Sequence, residues 1–177
     1  NQIKTPIVTN LSTSMAIDDL AGKYNIPVLR SNVGEINVVN EMKKVSAVIG
    51  GEGNGGVILP ESHYGRDSLV AIALLLNRLS MENISMSELY NKIPNYEIIK
   101  DFIETDKSLT EDFINFIKKE LNPIEINIMD GVKLIWPDKW IHIRQSNTEP
   151  IIRFYSEAHN LEDSIELINI AKEIFNT

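Results

Sequence analysis

Residues 45–60 read VSAVIGGEGNGGVILP, and the parsing of that stretch decides the fold. Residues 45–50 form a continuous apolar run, as expected of a strand buried on both faces of a parallel sheet. A glycine-dense loop follows, then a second β-like run, VILP. Gly51, Gly53 and Gly56 match G-x-G-x-x-G, a spacing that holds pyrophosphate only where a helix starts in the loop and aims its amides at the ligand. Here a strand follows, and Glu52 would repel phosphate. No Gly-Lys-Ser/Thr is present to make a Walker loop. One reading is a plain hairpin whose glycines take positive φ. The other gives weight to Glu52 and Asn54 alternating with glycines: backbone approaches a ligand while a carboxylate and an amide project outward. Such a pair suits the vicinal hydroxyls of a sugar.

Working outward, PIVTN (6–10) reads as a strand and residues 12–25 as a helix, with Met15, Ile17, Leu20 and Tyr24 at helical spacing. IPVLRS (26–31) is a second strand, and residues 33–44 a helix with Ile36, Val39 and Met42 on one side. Beyond the glycine loop and VILP lie a turn, a helix over 67–79 and a short one, MSELYNKI, ending at Pro94. This alternation predicts an α/β domain with a mixed or parallel sheet. The texture then changes. YEIIKDFIET is strand-like, and 108–121 is an amphipathic helix with Ser108 and Glu111 as a capping box. Strands IEINIM, VKLIWP and WIHIRQ follow, joined at Asp130-Gly131 and Pro137-Asp138; then come IIRFYSEA and a closing helix, 161–175, capped by Asn160. A meander with helices predicts a small α+β domain. The boundary falls near residues 94–95, giving domains 1–94 and 95–177. Met15, Met42 and the leucine run 74–76 are expected in the core.

The 177 residues are 43% hydrophobic and 24% charged, enough for one large domain or two small ones. Absence of cysteine excludes disulfides and thiolate metal sites and fits a reducing cytoplasm. The longest apolar run, 69–76, is too short to span a bilayer. The start resembles no signal peptide and lacks methionine, so the sequence reads as a piece of a longer protein. Net charge is −8. Residues 1–95 hold eight Lys/Arg against nine Asp/Glu, a balance of −1; residues 96–177 hold nine against sixteen, a balance of −7. Such acidity argues against nucleic acid or an anionic membrane as partner.

Within the acidic half, RQSNTEPIIR (144–153) lies between two expected strands. Arg144 and Arg153 flank a loop containing Ser146, Asn147 and Thr148. Two guanidiniums, two hydroxyls and turn amides together make a phosphate receptor. Alternation sets Ile141 and Ile143 on one face, with His142 and Arg144 on the other. The competing reading is a polar hairpin whose arginines pair with Glu149 or Glu157. Spacing alone leaves both open.

Together the two loops resemble those of the α-D-phosphohexomutases. GGEGNGG is similar to that family's Gly-Glu-x-Ser/Asn-Gly sugar loop, and RQSNTEPIIR to its Arg-x-Ser-Asn/Gly-Thr-Glu-Pro-x-x-Arg phosphate loop. The run from Ser31 past the sugar loop is also similar in order and spacing, and HYGRD resembles the variant of archaeal-type phosphoglucosamine mutases and phosphomannomutases. The resemblance spans essentially the whole sequence. It implies the family's third domain followed by its fourth, which has a TATA-binding-protein-like fold. It further implies that Glu52 and Asn54 hold the sugar's 3- and 4-hydroxyls, and that Arg144, Ser146, Asn147, Thr148 and Arg153 grip the phosphate not being transferred. Phosphate would move between C6 and C1 of a phosphorylated hexose, through an enzyme phosphoserine and a hexose 1,6-bisphosphate. A histidine of many relatives is replaced here by Gly56, and one of some relatives by Glu35. Glu35 and His63 become the candidates for proton transfer, His63 being expected as a solvent-facing loop residue.

The family's phosphoserine loop and its Asp-Gly-Asp-x-Asp-Arg magnesium site are missing from these residues. Both belong to its first two domains, so the resemblance implies that Mg2+ and the nucleophile act in the intact enzyme and that this portion alone is inactive. A non-catalytic module that binds sugar phosphates is the alternative.

Overall fold

The three β-branched runs of the first half become parallel strands: β1 (Ile7–Asn10), β2 (Val28–Ser31) and β3 (Ile49–Glu52). Helix α1 (Ala16–Gly22) links β1 to β2, and α2 (Glu35–Val45) links β2 to β3. Two antiparallel strands, β4 (Gly56–Leu59) and β5 (His63–Arg66), complete a mixed five-stranded sheet of order β2-β1-β3-β4-β5. Helix α3 (Ser68–Glu82) and the short α4 (Met86–Tyr90) follow. The computed structural model describes residues 5–176 and divides into two units, Asn1–Asn95 and Tyr96–Thr177.

The core of the first unit is Val8, Val38, Val39, Met42, Ala47 and Ile58, where α2 covers one face of the sheet. Chain order reverses about β1, whose neighbours are β2 and β3. Ligands of open α/β sheets bind outside the carboxyl ends of strands at such a reversal. The three strands end there in Asn10, Ser31 and Glu52, all buried polar residues.

Three expectations for this unit need correction: Met15, unlike Met42, is only partly buried and lies outside the core cluster. The leucine run 74–76 is not core: Leu74 is 39% and Leu76 60% exposed, and α3 has no buried residue. Its apolar run is continuous rather than periodic, so part of it must face away from β4, against which it packs. Strand β5 was expected as a turn, because HYGR is polar and largely exposed and carries no period-2 signal.

In the second unit, β6 (Glu97–Glu104), α5 (Glu111–Leu121), β7 (Glu125–Asn127), β8 (Val132–Ile135), β9 (Trp140–Gln145), β10 (Ile151–Ala158) and α6 (Leu161–Asn176) follow in order. The five strands form an antiparallel sheet, β6-β10-β9-β8-β7. Ile117 of α5 and Leu167, Ile168, Ala171 and Phe175 of α6 pack against Val132, Leu134, Ile141, Ile143, Ile152 and Phe154 of the sheet. Asn160 accepts a hydrogen bond from the Asp163 amide at 2.8 Å, as a capping residue does. Helix α5 is capped by Thr110, whose side chain accepts from the Phe113 amide, rather than by Ser108. The chain is an α/β domain followed by a small α+β domain.

Candidate functional site

Glu52 closes β3, and the hairpin turns immediately after it. The Gly55 amide donates to the Glu52 carbonyl at 3.1 Å, and Gly55 has φ +91°, the left-handed residue that a three-residue hairpin loop requires. Asn54 is exposed at the tip, as expected. Glu52 corrects the sequence reading: its carboxylate does not project outward but is buried. Alternation along β3 turns the side chain toward the start of α2, where amides and the helix dipole favour a carboxylate. Glu52 Oε1 accepts from Asn10 Nδ2 at 2.9 Å and from the Gly34 amide at 3.2 Å. Its Oε2 faces Arg66 Nη1 at 3.1 Å.

The supporting shell comes from the turn after β1. Asn10 Oδ1 accepts from the Ser12 amide (3.0 Å) and from the Thr13 hydroxyl (2.9 Å). Thr13 Oγ1 in turn accepts from the Gly53 amide at 3.0 Å. Arg30 pins the same turn by donating to the carbonyls of Asn10 (3.2 Å) and Thr13 (2.7 Å). The glycine loop is thereby held to the neighbouring strand end through one hydroxyl and one amide side chain.

Both proton-transfer candidates are already engaged. Arg66 donates its backbone amide to Glu35 Oε1 at 3.1 Å and Nε to Oε2 at 2.9 Å. The Arg66 side-chain bond chiefly holds the Glu35 carboxyl below the usual carboxylate range, so Glu35 is ionised at neutral pH and a weak base. His63 is exposed, lies on β5 rather than in a loop, and contacts Asp67 Oδ2 at 2.9 Å. Asp67 also caps α3 by accepting from the Leu69 and Val70 amides. Each candidate thus has a charged partner within its own unit.

In the second unit, Arg144 of β9 and Arg153 of β10 are direct cross-strand partners. Like charges placed opposite one another repel, and each arginine has a carboxylate beside it. Arg153 pairs with Glu149, as the polar-hairpin reading expected. Arg144 Nε lies 3.5 Å from Asp130 Oδ2. At that length the nitrogen is buried without a hydrogen-bond partner among the described residues, an arrangement that costs free energy unless an anion completes it. Ser146 is buried, while Asn147 and Thr148 are exposed in the loop. Ile141 and Ile143 face the apolar core, as expected, and His142 and Arg144 do not join it. They are nevertheless buried.

His142 Nε2 donates to the Asp130 carbonyl, 2.6 Å away. Burial pushes its pKa down from 6.5 to about 4. The unfolded chain therefore binds the extra proton between these values, and the stability conferred by neutral His142 is lost as pH falls through that window. Between pH 7.5 and pH 5 the His142 contribution should fall by about 2 kcal/mol. Urea unfolding at both pH values should show this loss in the native protein and a smaller one in His142→Gln. Equal losses in both proteins would contradict the assignment.

Residues 1–96 match the family model described as phosphoglucomutase/phosphomannomutase, alpha/beta/alpha domain III. The chain belongs to this family. A phosphoglucosamine/phosphogalactosamine mutase of Sulfurisphaera tokodaii is 35% identical over 173 residues, 95% of this chain and 38% of its own length. A phosphoglucomutase/phosphomannomutase of Thermococcus kodakarensis is 34% identical over 167 residues, 93% of this chain and 36% of its own. The chain thus spans little more than a third of these family members and is a C-terminal fragment by comparison. Among solved structures, a phosphoglucomutase/phosphomannomutase family protein of Burkholderia thailandensis shares the fold with a TM-score of 0.77 at 20% identity, over 96% of this chain and 37% of its own. An Aspergillus fumigatus N-acetylphosphoglucosamine mutase, solved with GlcNAc-6P and magnesium, does so with a TM-score of 0.68 at 12% identity, over 98% and 41%.

Asn10, Thr13 and Arg66, which contact Glu52 or its loop, are residues that sequence reasoning did not place in the candidate site. Asn10 could have been found as the polar residue ending a strand at the point where chain order reverses. Arg66 lies in the HYGRD stretch noted above, but nothing there paired it with Glu52, 14 residues away in sequence, and its strand was not foreseen.

Proposed function

We propose that the protein carrying this chain is a phosphohexomutase that interconverts hexose 6-phosphate and hexose 1-phosphate, with this chain supplying sugar and phosphate recognition. The observation that carries the reading is the cross-strand arginine pair, in which Arg144 is buried and its Nε lacks a hydrogen bond among the described residues. Beside a loop bearing Ser146, Asn147 and Thr148, it is a receptor suited to a dianionic phosphate. Glu52 and Asn54 would hold the sugar hydroxyls. Glu52 would do so through Oε2, since Oε1 already accepts two hydrogen bonds. A carboxylate tolerates a bisphosphate whose ends exchange places, because it touches hydroxyls near the pivot and never phosphate.

The nucleophilic serine and magnesium of this reading lie outside the chain. Among the described residues no group of three or more His, Asp or Glu side chains could hold a metal ion, and no step is assigned to a metal here. No described helix is long and apolar enough to cross a membrane. A cytoplasmic site of action, with phosphorylated hexoses as partners, is part of the same proposal.

The full-length protein, given Mg2+ and a trace of glucose 1,6-bisphosphate, should convert glucosamine 6-phosphate or mannose 6-phosphate to the 1-phosphate, while residues 1–177 alone should not. Turnover by residues 1–177 alone would refute the division of labour. Binding of sugar phosphate by the full-length protein without turnover would establish the non-catalytic module instead.

A further inference from the structure

The strand end occupied by Glu52 holds a second polar group that no part of the reading above uses. Arg66 is fixed twice by Glu35, through its backbone amide and through Nε, and Nη1 lies 3.1 Å from Glu52 Oε2. The side chain is 40% exposed while that of Glu52 is 4% exposed. Among the described residues Nη2 has no partner. Gly56 makes this position available: a Cβ there would lie 2.2 Å from Arg66 Cδ and 2.8 Å from Cγ. The arginine stem occupies the space a side chain at residue 56 would fill.

Asn10 and the Gly34 amide satisfy Glu52 Oε1, and one Arg66 nitrogen, Nη1, faces Oε2 as the counter-charge of the buried carboxylate. What Arg66 adds is a set of unused N–H donors, held in a planar fork beside an acceptor. A fork already anchored by Glu35 loses little further freedom when it binds a ligand. We infer that Arg66 is a sugar-contacting residue: Glu52 Oε2 accepts from one hydroxyl of the hexose and Arg66 Nη2 donates to its neighbour. The inference rests on the hexose-phosphate reading and adds Arg66 as a donor to the diol that Glu52 and Asn54 hold in it.

The test uses the full-length protein with glucose 6-phosphate and its 3-deoxy and 4-deoxy analogues, comparing dissociation constants by calorimetry. Arg66→Ala should weaken glucose 6-phosphate by about 10- to 100-fold, the range of a hydrogen bond from a charged donor. Against the one analogue that lacks the contacted hydroxyl, the same substitution should cost less than about 3-fold. Glu35→Gln, which loosens the arginine without removing it, should keep the discrimination between parent and analogue. An equal loss on all three ligands would overturn the inference, leaving Arg66 a support for Glu52. Should Arg66→Ala fail to fold, Gly56→Ala, which crowds the arginine stem, carries the same expectation and the same overturning result. If the unaltered protein binds no hexose phosphate, the parent reading fails instead.

Discussion

Arg144→Ala in the full-length protein should lower affinity for glucose 6-phosphate by roughly 100-fold or more, the loss of two charge-assisted hydrogen bonds. Arg144 is the more buried of the two arginines and the one whose Nε has no hydrogen bond. Its donors are thus held in a poorly hydrated place, where an anion gains most. Arg153 is half-exposed and already engaged by Glu149, so Arg153→Ala should cost less, about 10-fold. Arg144→Lys separates charge from geometry: a point charge cannot reproduce the planar fork, and most of the loss should persist. Calorimetry at one fixed ionic strength checks all three. Affinities for Arg144→Ala within about 3-fold of the native protein would mean that this loop is an ordinary polar hairpin.

The second loop was legible in sequence for a physical reason. Arg144, Ser146, Asn147, Thr148 and Arg153 lie within ten residues, and a hairpin register sets the two arginines opposite one another. Local spacing therefore encodes local geometry. The first loop was only half legible. The hairpin followed from glycines flanked by β-branched residues, but the direction of Glu52 depends on the start of α2 and on Asn10, 18 and 42 residues away. No short-range pattern reports such partners. The same limit hid Arg66, whose ion pairs span 31 and 14 residues, and the burial of Arg144, which strand alternation alone assigns to the face away from the apolar core. The exposed leucines of α3 failed differently. Hydrophobicity reports that a surface should be covered, and not whether these residues supply the cover.

Replacement of Gly131 should strongly destabilise the second unit. Gly131 has φ +73°, and a Cβ there would lie 2.2 Å from the Ile143 carbonyl oxygen and 2.8 Å from Arg144 Cα. The obstacle is backbone in the central strand β9, which cannot swing aside as a side chain can. Left-handed strain and overpacking each cost about 1–3 kcal/mol, so Gly131→Ala should lose roughly 3–5 kcal/mol. Both tryptophans, Trp136 and Trp140, belong to this unit, so their fluorescence in a urea titration reports its unfolding alone. The substitution should also reach the phosphate loop. Asp130, one residue earlier, contacts His142 through its carbonyl and faces Arg144 through its carboxylate. Displacing the turn moves both contacts, and sugar-phosphate affinity should fall with stability even under conditions where the unit stays folded. A destabilised Gly131→Ala protein that binds as tightly as the native one would show that the Asp130-Gly131 turn supports the sheet without placing Arg144.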